Sequence, residues 1–150
     1  MTATSRSLLV RQQYATRAAF FIAGFTMSSW APLIPFAKER TGANEAMLGL
    51  LLLCLGLGSI IGMPMTGALV NRFGCRRVII RASLMICAAL PALGSVQSIP
   101  TLGIALLIFG AGMGTIDVAM NIQAVIVERA SERTMMSGFH GLFKIGRAHV

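Results

Sequence analysis

The chain has 150 residues, 55% of them hydrophobic and only 12% charged, with a formal net charge of +8. A soluble domain carries about 25% charged residues, so an ordinary water-exposed globule is excluded in favour of a membrane protein. The arginines stand in short blocks between apolar runs and not on one aromatic-studded face, which argues against a nucleic-acid binder and for membrane-flanking loops.

The first apolar run covers residues 15–36, "ATRAAFFIAGFTMSSWAPLIPF". Arg6 and Arg11 precede it as they would a signal peptide. The run is long, lacks a clean small-x-small cleavage site and is followed by further runs, so it is read as a retained span. Gly24, Ser28, Ala31 and Pro35 form a small face on it. Trp30 either anchors at the membrane interface or stacks on a sugar or aromatic ligand; Tyr14 suits the opposite interface. Pro32 and Pro35 are placed to kink the helix end.

The second run, residues 46–70, carries Gly58 and Gly62 at four-residue spacing, and it ends in "GALVNRFGCRR". The third covers residues 78–96 and the fourth 100–127, with Gly110 and Gly114 again four apart. A fifth span starts near residue 136. At 1.5 Å per residue about 20 residues cross a hydrocarbon core, and helix is the form these unalternating runs require. Small residues at such spacing let helices approach closely.

Arg6, Arg11, Arg17, Arg72, Arg76, Arg77, Arg81, Arg129 and Arg133 fall on one side of the predicted membrane. Lys38 and Arg40 fall on the other, offset by Glu39 and Glu45. This asymmetry predicts a cytoplasmic N-terminus, residues 1–14, and a multi-pass protein of the inner membrane. Cys54, Cys75 and Cys87 lack ligand spacing and are read as reduced apolar residues with no metal or disulfide role. "IGRAHV" at the end is what the common sequencing-adapter stretch ATCGGAAGAGCACACGTC encodes, so residues 144–150 are read as a scar and the chain as a fragment.

No Ser/His/Asp set, ligand cluster or phosphate loop suggests an enzyme or a cofactor. His140 is read as a helix-start polar group. Asp117 stands apart. It lies within the fourth run, where an acid costs about 2.5–3.5 kcal/mol on insertion scales. Gly110, Gly114, Asp117 and Asn121 follow 4-3-4 spacing and share a face, so Asp117 is expected to point inward. It is either a proton or substrate site or a buried structural acid.

The "GALVNRFGCRR" stretch resembles the G-x-L-a-D-r-x-G-r-r loop of the major facilitator superfamily, between its second and third helices. Gly67, Leu69, Arg72, Gly74, Arg76 and Arg77 match, and Asn71 replaces the usual aspartate. "SSWAPLIP", "GTIDVAMN", "VERA" and "GFHGLF" are similar to YbjJ-type proteins near the fucose-permease branch. The resemblance implies an all-α bundle, four spans plus the start of a fifth out of about twelve, with two halves that rock in alternating access. It implies that residues 67–77 form a cytoplasmic gating loop, with Asn71 able to cap a helix N-terminus. It also implies that Asp117 and Asn121 are candidates to hold a proton or a small solute; Ser28, on the small face of the first run, and Trp30, through stacking, are further candidates read from the residues themselves. The parent is expected to be a monomeric secondary transporter in the lipid bilayer, the fragment alone inactive. The rivals are a four-span dimeric exporter and a non-transporting membrane scaffold or sensor.

Overall fold

The computed structural model describes residues 3–132 and 134–148; Arg133, His149 and Val150, which entered the charge and scar readings, lie outside them. Helix α1 covers Ala3–Trp30, a single 3₁₀ turn follows at Ala31–Leu33, and α2 covers Ile34–Thr41. The break falls where Pro32 and Pro35 remove two backbone donors. Gly42 then ends α2 in the left-handed region, at φ 66°, with its amide on the Glu39 and Lys38 carbonyls. Asn44 starts α3, Glu45–Phe73, by accepting the Met47 amide at 2.8 Å on its side chain. Lys38 and Glu45 pair across the turn.

Helix α3 runs unbroken past Pro64 to Phe73. One residue, Gly74, separates it from α4, Cys75–Ser95. Helix α5 covers Ile99–Ser131 and α6 covers Met136–Arg147. Among the described residues there is no strand. Ser7–Thr41, Glu45–Phe73, Cys75–Ser95 and Ile99–Ser131 are each long and apolar enough to cross a membrane. The chain is therefore an all-α, multi-pass membrane bundle. Most helices overrun the hydropathy spans, because the flanking Arg11–Gln13 and Lys38–Arg40 are good helix formers at the interface. The helix α6 continues through Lys144 to Arg147.

Two parallel helix pairs build the centre. In the α3–α5 pair, a Cβ on Gly58 would strike the Leu107 carbonyl and lie 2.8 Å from the Ala111 amide, and one on Gly110 would strike the Leu55 carbonyl. In the α6–α1 pair, a Cβ on Gly146 would lie 2.6 Å from the Phe21 carbonyl and 3.0 Å from the Phe25 amide, and one on Gly24 would strike the Phe143 carbonyl. Leu107, Gly110 and Ala111 thus stand to α3 as Phe21, Gly24 and Phe25 stand to α6. The match extends one turn further. A Cβ on Gly114 would lie 2.5 Å from the Ser59 carbonyl, while Ser28 Oγ donates to the Arg147 carbonyl at 3.1 Å. The first pair runs through the bundle in the opposite direction to the second, so one packing unit is used twice, inverted.

Helix α4 lies against α5, with Ile86 and Met85 over Gly112 and Cys75 Sγ donating to the Ala119 carbonyl at 3.0 Å. Phe20 and Phe139 stack at 5.6 Å between centroids in the α1–α6 core. Arg40 closes the far end of α4: its Nε and Nη2 donate to the carbonyls of Val96 and Leu93 at 2.8 and 2.9 Å. These are carbonyls a helix end leaves unpaired. At the other end Glu128 Oε2 accepts the Met135 and Met136 amides at 2.8 and 2.7 Å and so caps α6. Leu50, Leu53, Leu57 and Ile60 of α3 remain exposed, as lipid or further protein requires and water does not favour.

Candidate functional site

Asp117 sits on α5 one turn past the Gly110–Gly114 seam. Its neighbours Ile116, Ala119 and Met120 are buried, but Asp117 is exposed. It does not point into the interior of these helices, as the shared face of small residues suggested. The seam brings helix backbones so close that it has no volume for a carboxylate, and the side chain emerges beside it on an open face. Among the described residues the carboxylate has no hydrogen-bond or ion-pair partner. Its backbone carbonyl accepts from Asn121 Nδ2 at 2.8 Å, so Asn121 stands on the same face one turn on.

The other two span candidates are elsewhere. Ser28 is buried, and its hydroxyl is engaged by the Gly24 and Arg147 carbonyls, both at 3.1 Å. It belongs to the α1–α6 seam. Trp30 is only 3% exposed, which removes the interfacial-anchor reading. Its Nε1 is buried without a partner. Under the inverted repeat Trp30 corresponds to Ile116, on the buried side of its helix, and Asp117 corresponds to Ala31, which is exposed like it. The structure therefore brings Asp117 and Asn121 together and leaves Ser28 and Trp30 apart from them.

The turn after α3 also differs from expectation. Gly67 and Asn71 are helical, in the last two turns of α3. Asn71 caps no helix N-terminus; that position belongs to Gly74, at φ 82° and ψ 148°, a region open essentially to glycine alone. The Arg72 and Arg81 guanidiniums each lie 5.3 Å from the Phe73 ring centroid; the Arg72 contact is within α3, and the Arg81 contact fastens α4 to α3 by cation–π attraction. Arg76 and Arg77 are exposed at the start of α4. The Glu128 cap, the Arg40 closure and the repeated seam were not anticipated from sequence. The only signals were an acid seven residues before the N-cap of α6 and glycines whose partners lie in distant segments.

A sequence profile described as Major Facilitator Superfamily matches residues 18–145. The chain is 61% identical over 137 residues to an uncharacterized MFS-type transporter of Yersinia pestis, covering 91% of this chain and 36% of that protein. It is 37% identical over 129 residues to an uncharacterized transporter of Sinorhizobium fredii, covering 86% of this chain and 34% of that one. It is 29% identical over 91 residues to an arabinose-proton symporter of Bacillus subtilis, covering 61% of this chain and 20% of that protein. The chain thus spans about a third of the length of the first two relatives. No solved structure matches it significantly.

Proposed function

We propose, from the premise that this chain belongs to the Major Facilitator Superfamily, that it supplies the N-terminal spans of a secondary transporter, in a branch near the YbjJ-type and fucose permeases. The transporter moves a small solute by alternating access, and Asp117 takes the proton or a polar group of the solute. The observation that carries this reading is the unpartnered Asp117 carboxylate on an exposed face inside a span. Facing hydrocarbon it would cost about 2.5–3.5 kcal/mol. In the whole protein that face is better met by water or by the second half of the transporter. Asn121 beside it adds a donor and an acceptor.

Coupling to protons is supported by the acid itself and by the likeness to the arabinose-proton symporter. The positive end of the bundle, where α1 begins and α3 meets α4, is assigned to the cytoplasm of an inner membrane. The turn at Gly74 would then gate from that side, with Arg76 and Arg77 free to pair with the second half. The four-span dimer is not favoured, since the relatives are much longer than this chain.

The test is uptake of labelled pentoses and hexoses into proteoliposomes of the full-length protein, wild type against Asp117→Asn, with and without an imposed pH gradient. The variant should lose gradient-driven uptake roughly ten-fold or more, an energy of about 1.4 kcal/mol. Equal rates at every pH would show that Asp117 has no such role.

A further inference from the structure

Helix α2 stands between two soft joints. On one side the 3₁₀ turn Ala31–Leu33 joins it to α1. Pro32 and Pro35 supply no amides there, and the Ile34 amide returns to the Ala31 carbonyl. A 3₁₀ stretch inside a longer helical run marks a hinge or a strained sequence. On the other side lies Gly42, in the left-handed region. The run Ser7–Thr41 is 35 residues long, or about 52 Å of helix against a hydrocarbon core of about 30 Å. The run is thus too long to be held within the core, and α2 is its terminal segment.

Arg40 docks this segment on the bundle. Its Nε and Nη2 donate to the carbonyls of Val96 and Leu93 at 2.8 and 2.9 Å. Both bonds are charge-assisted, and the guanidinium sits at the negative end of α4. Beside the other joint, Trp30 acts in the opposite direction. The side chain is 3% exposed, and its Nε1 is buried with no acceptor. A donor kept from both water and acceptor destabilises the arrangement that encloses it. The enclosing atoms belong to this chain, so no further span reaches that nitrogen while the present packing holds. The segment free to shift is the one hinged next to it.

We propose that α2 is a strap, latched by Arg40 on the end of α4 and released at the Ala31–Leu33 turn, with the buried Trp30 indole biasing it toward release. On the transporter reading, which this consequence rests on, release opens the bundle mouth at the end away from Gly74. Amide exchange reads the strap itself, whatever Asp117 does.

The test is hydrogen–deuterium exchange, read by mass spectrometry, on the intact, full-length protein in detergent. Arg40→Gln should speed exchange of the amides of residues 34–43 roughly ten-fold, while the amides of α3 stay unchanged; that contrast separates local release from general loosening. Lys38→Gln, which removes the exposed pair with Glu45 on the same helix, should exchange as wild type does. At position 30, benzothienylalanine in place of tryptophan keeps the ring shape and removes the N–H. It should slow exchange of residues 34–43 roughly three-fold or more. A purely structural role for Trp30 would leave the rate unchanged or raise it. Unchanged exchange in Arg40→Gln, a rise shared with α3, an equal rise in Lys38→Gln, or exchange in the benzothienylalanine protein as fast as wild type would each overturn the proposal.

Discussion

At Gly58 a methyl group would fall on the Leu107 carbonyl, and at Gly110 on the Leu55 carbonyl. Both obstacles are backbone and cannot swing aside. Gly103 lies on the same pair of helices, but a methyl there would meet only Leu51 Cδ2 at 3.6 Å and Cys54 Sγ at 3.8 Å, ordinary contact. Gly58→Ala and Gly110→Ala should each lower stability by about 1–3 kcal/mol or more, the cost of overpacking. Gly103→Ala should be neutral or stabilising by up to about 1 kcal/mol, because alanine is the better helix former. Thermal unfolding of the purified protein in detergent checks both. The sequence revealed these residues as a small face but did not rank them, since spacing identifies a helix face and not what covers it. The same gap explains Asp117 and Trp30. The shared 4-3-4 face was correct, yet the carboxylate emerges beside the seam, and the indole expected at an interface is buried.

Among elements, the helices were the legible part, because a chain in lipid must satisfy its own backbone groups and four long apolar runs leave no other solution. The connections were less so. The stretch of residues 67–77 was expected as a loop, but helix takes all of it except Gly74. A positive φ with extended ψ lets one residue reverse the chain while its amide still closes α3 on the Val70 carbonyl at 2.9 Å. Gly74→Ala should cost about 1–3 kcal/mol, the strain of forcing a Cβ into that region. It should loosen the contact between Arg81 and Phe73. Tm in detergent reports the first effect, and faster trypsin cleavage at Arg76 or Arg77, as the start of α4 frays, reports the second. An unchanged Tm and cleavage rate would mean that the turn does not need glycine.

For the molecule as a whole, the inverted repeat gives the Asp117 face its meaning. The α3–α5 and α6–α1 pairs share one seam, and Asp117 and Ala31 occupy equivalent exposed positions on the two central helices. The sequence signal is slight, with Ala19, Ile22, Gly24 and Met27 identical to Ala105, Ile108, Gly110 and Met113 at the matching offset; the shared register shows in which backbone meets which glycine. One member of the pair is charged and the other is not, so the acid is a local addition to a symmetric frame and not a packing requirement of it. The most direct measurement is cysteine accessibility in the full-length protein, with Cys54, Cys75 and Cys87 replaced. Asp117→Cys should react with a membrane-impermeant maleimide if, as we propose, its face lines a watery path between the halves. Leu84→Cys, on the exposed apolar side of α4, should not react. If Asp117→Cys proves as unreactive as Leu84→Cys, that face meets lipid or dry protein, and the transport role given to Asp117 is contradicted.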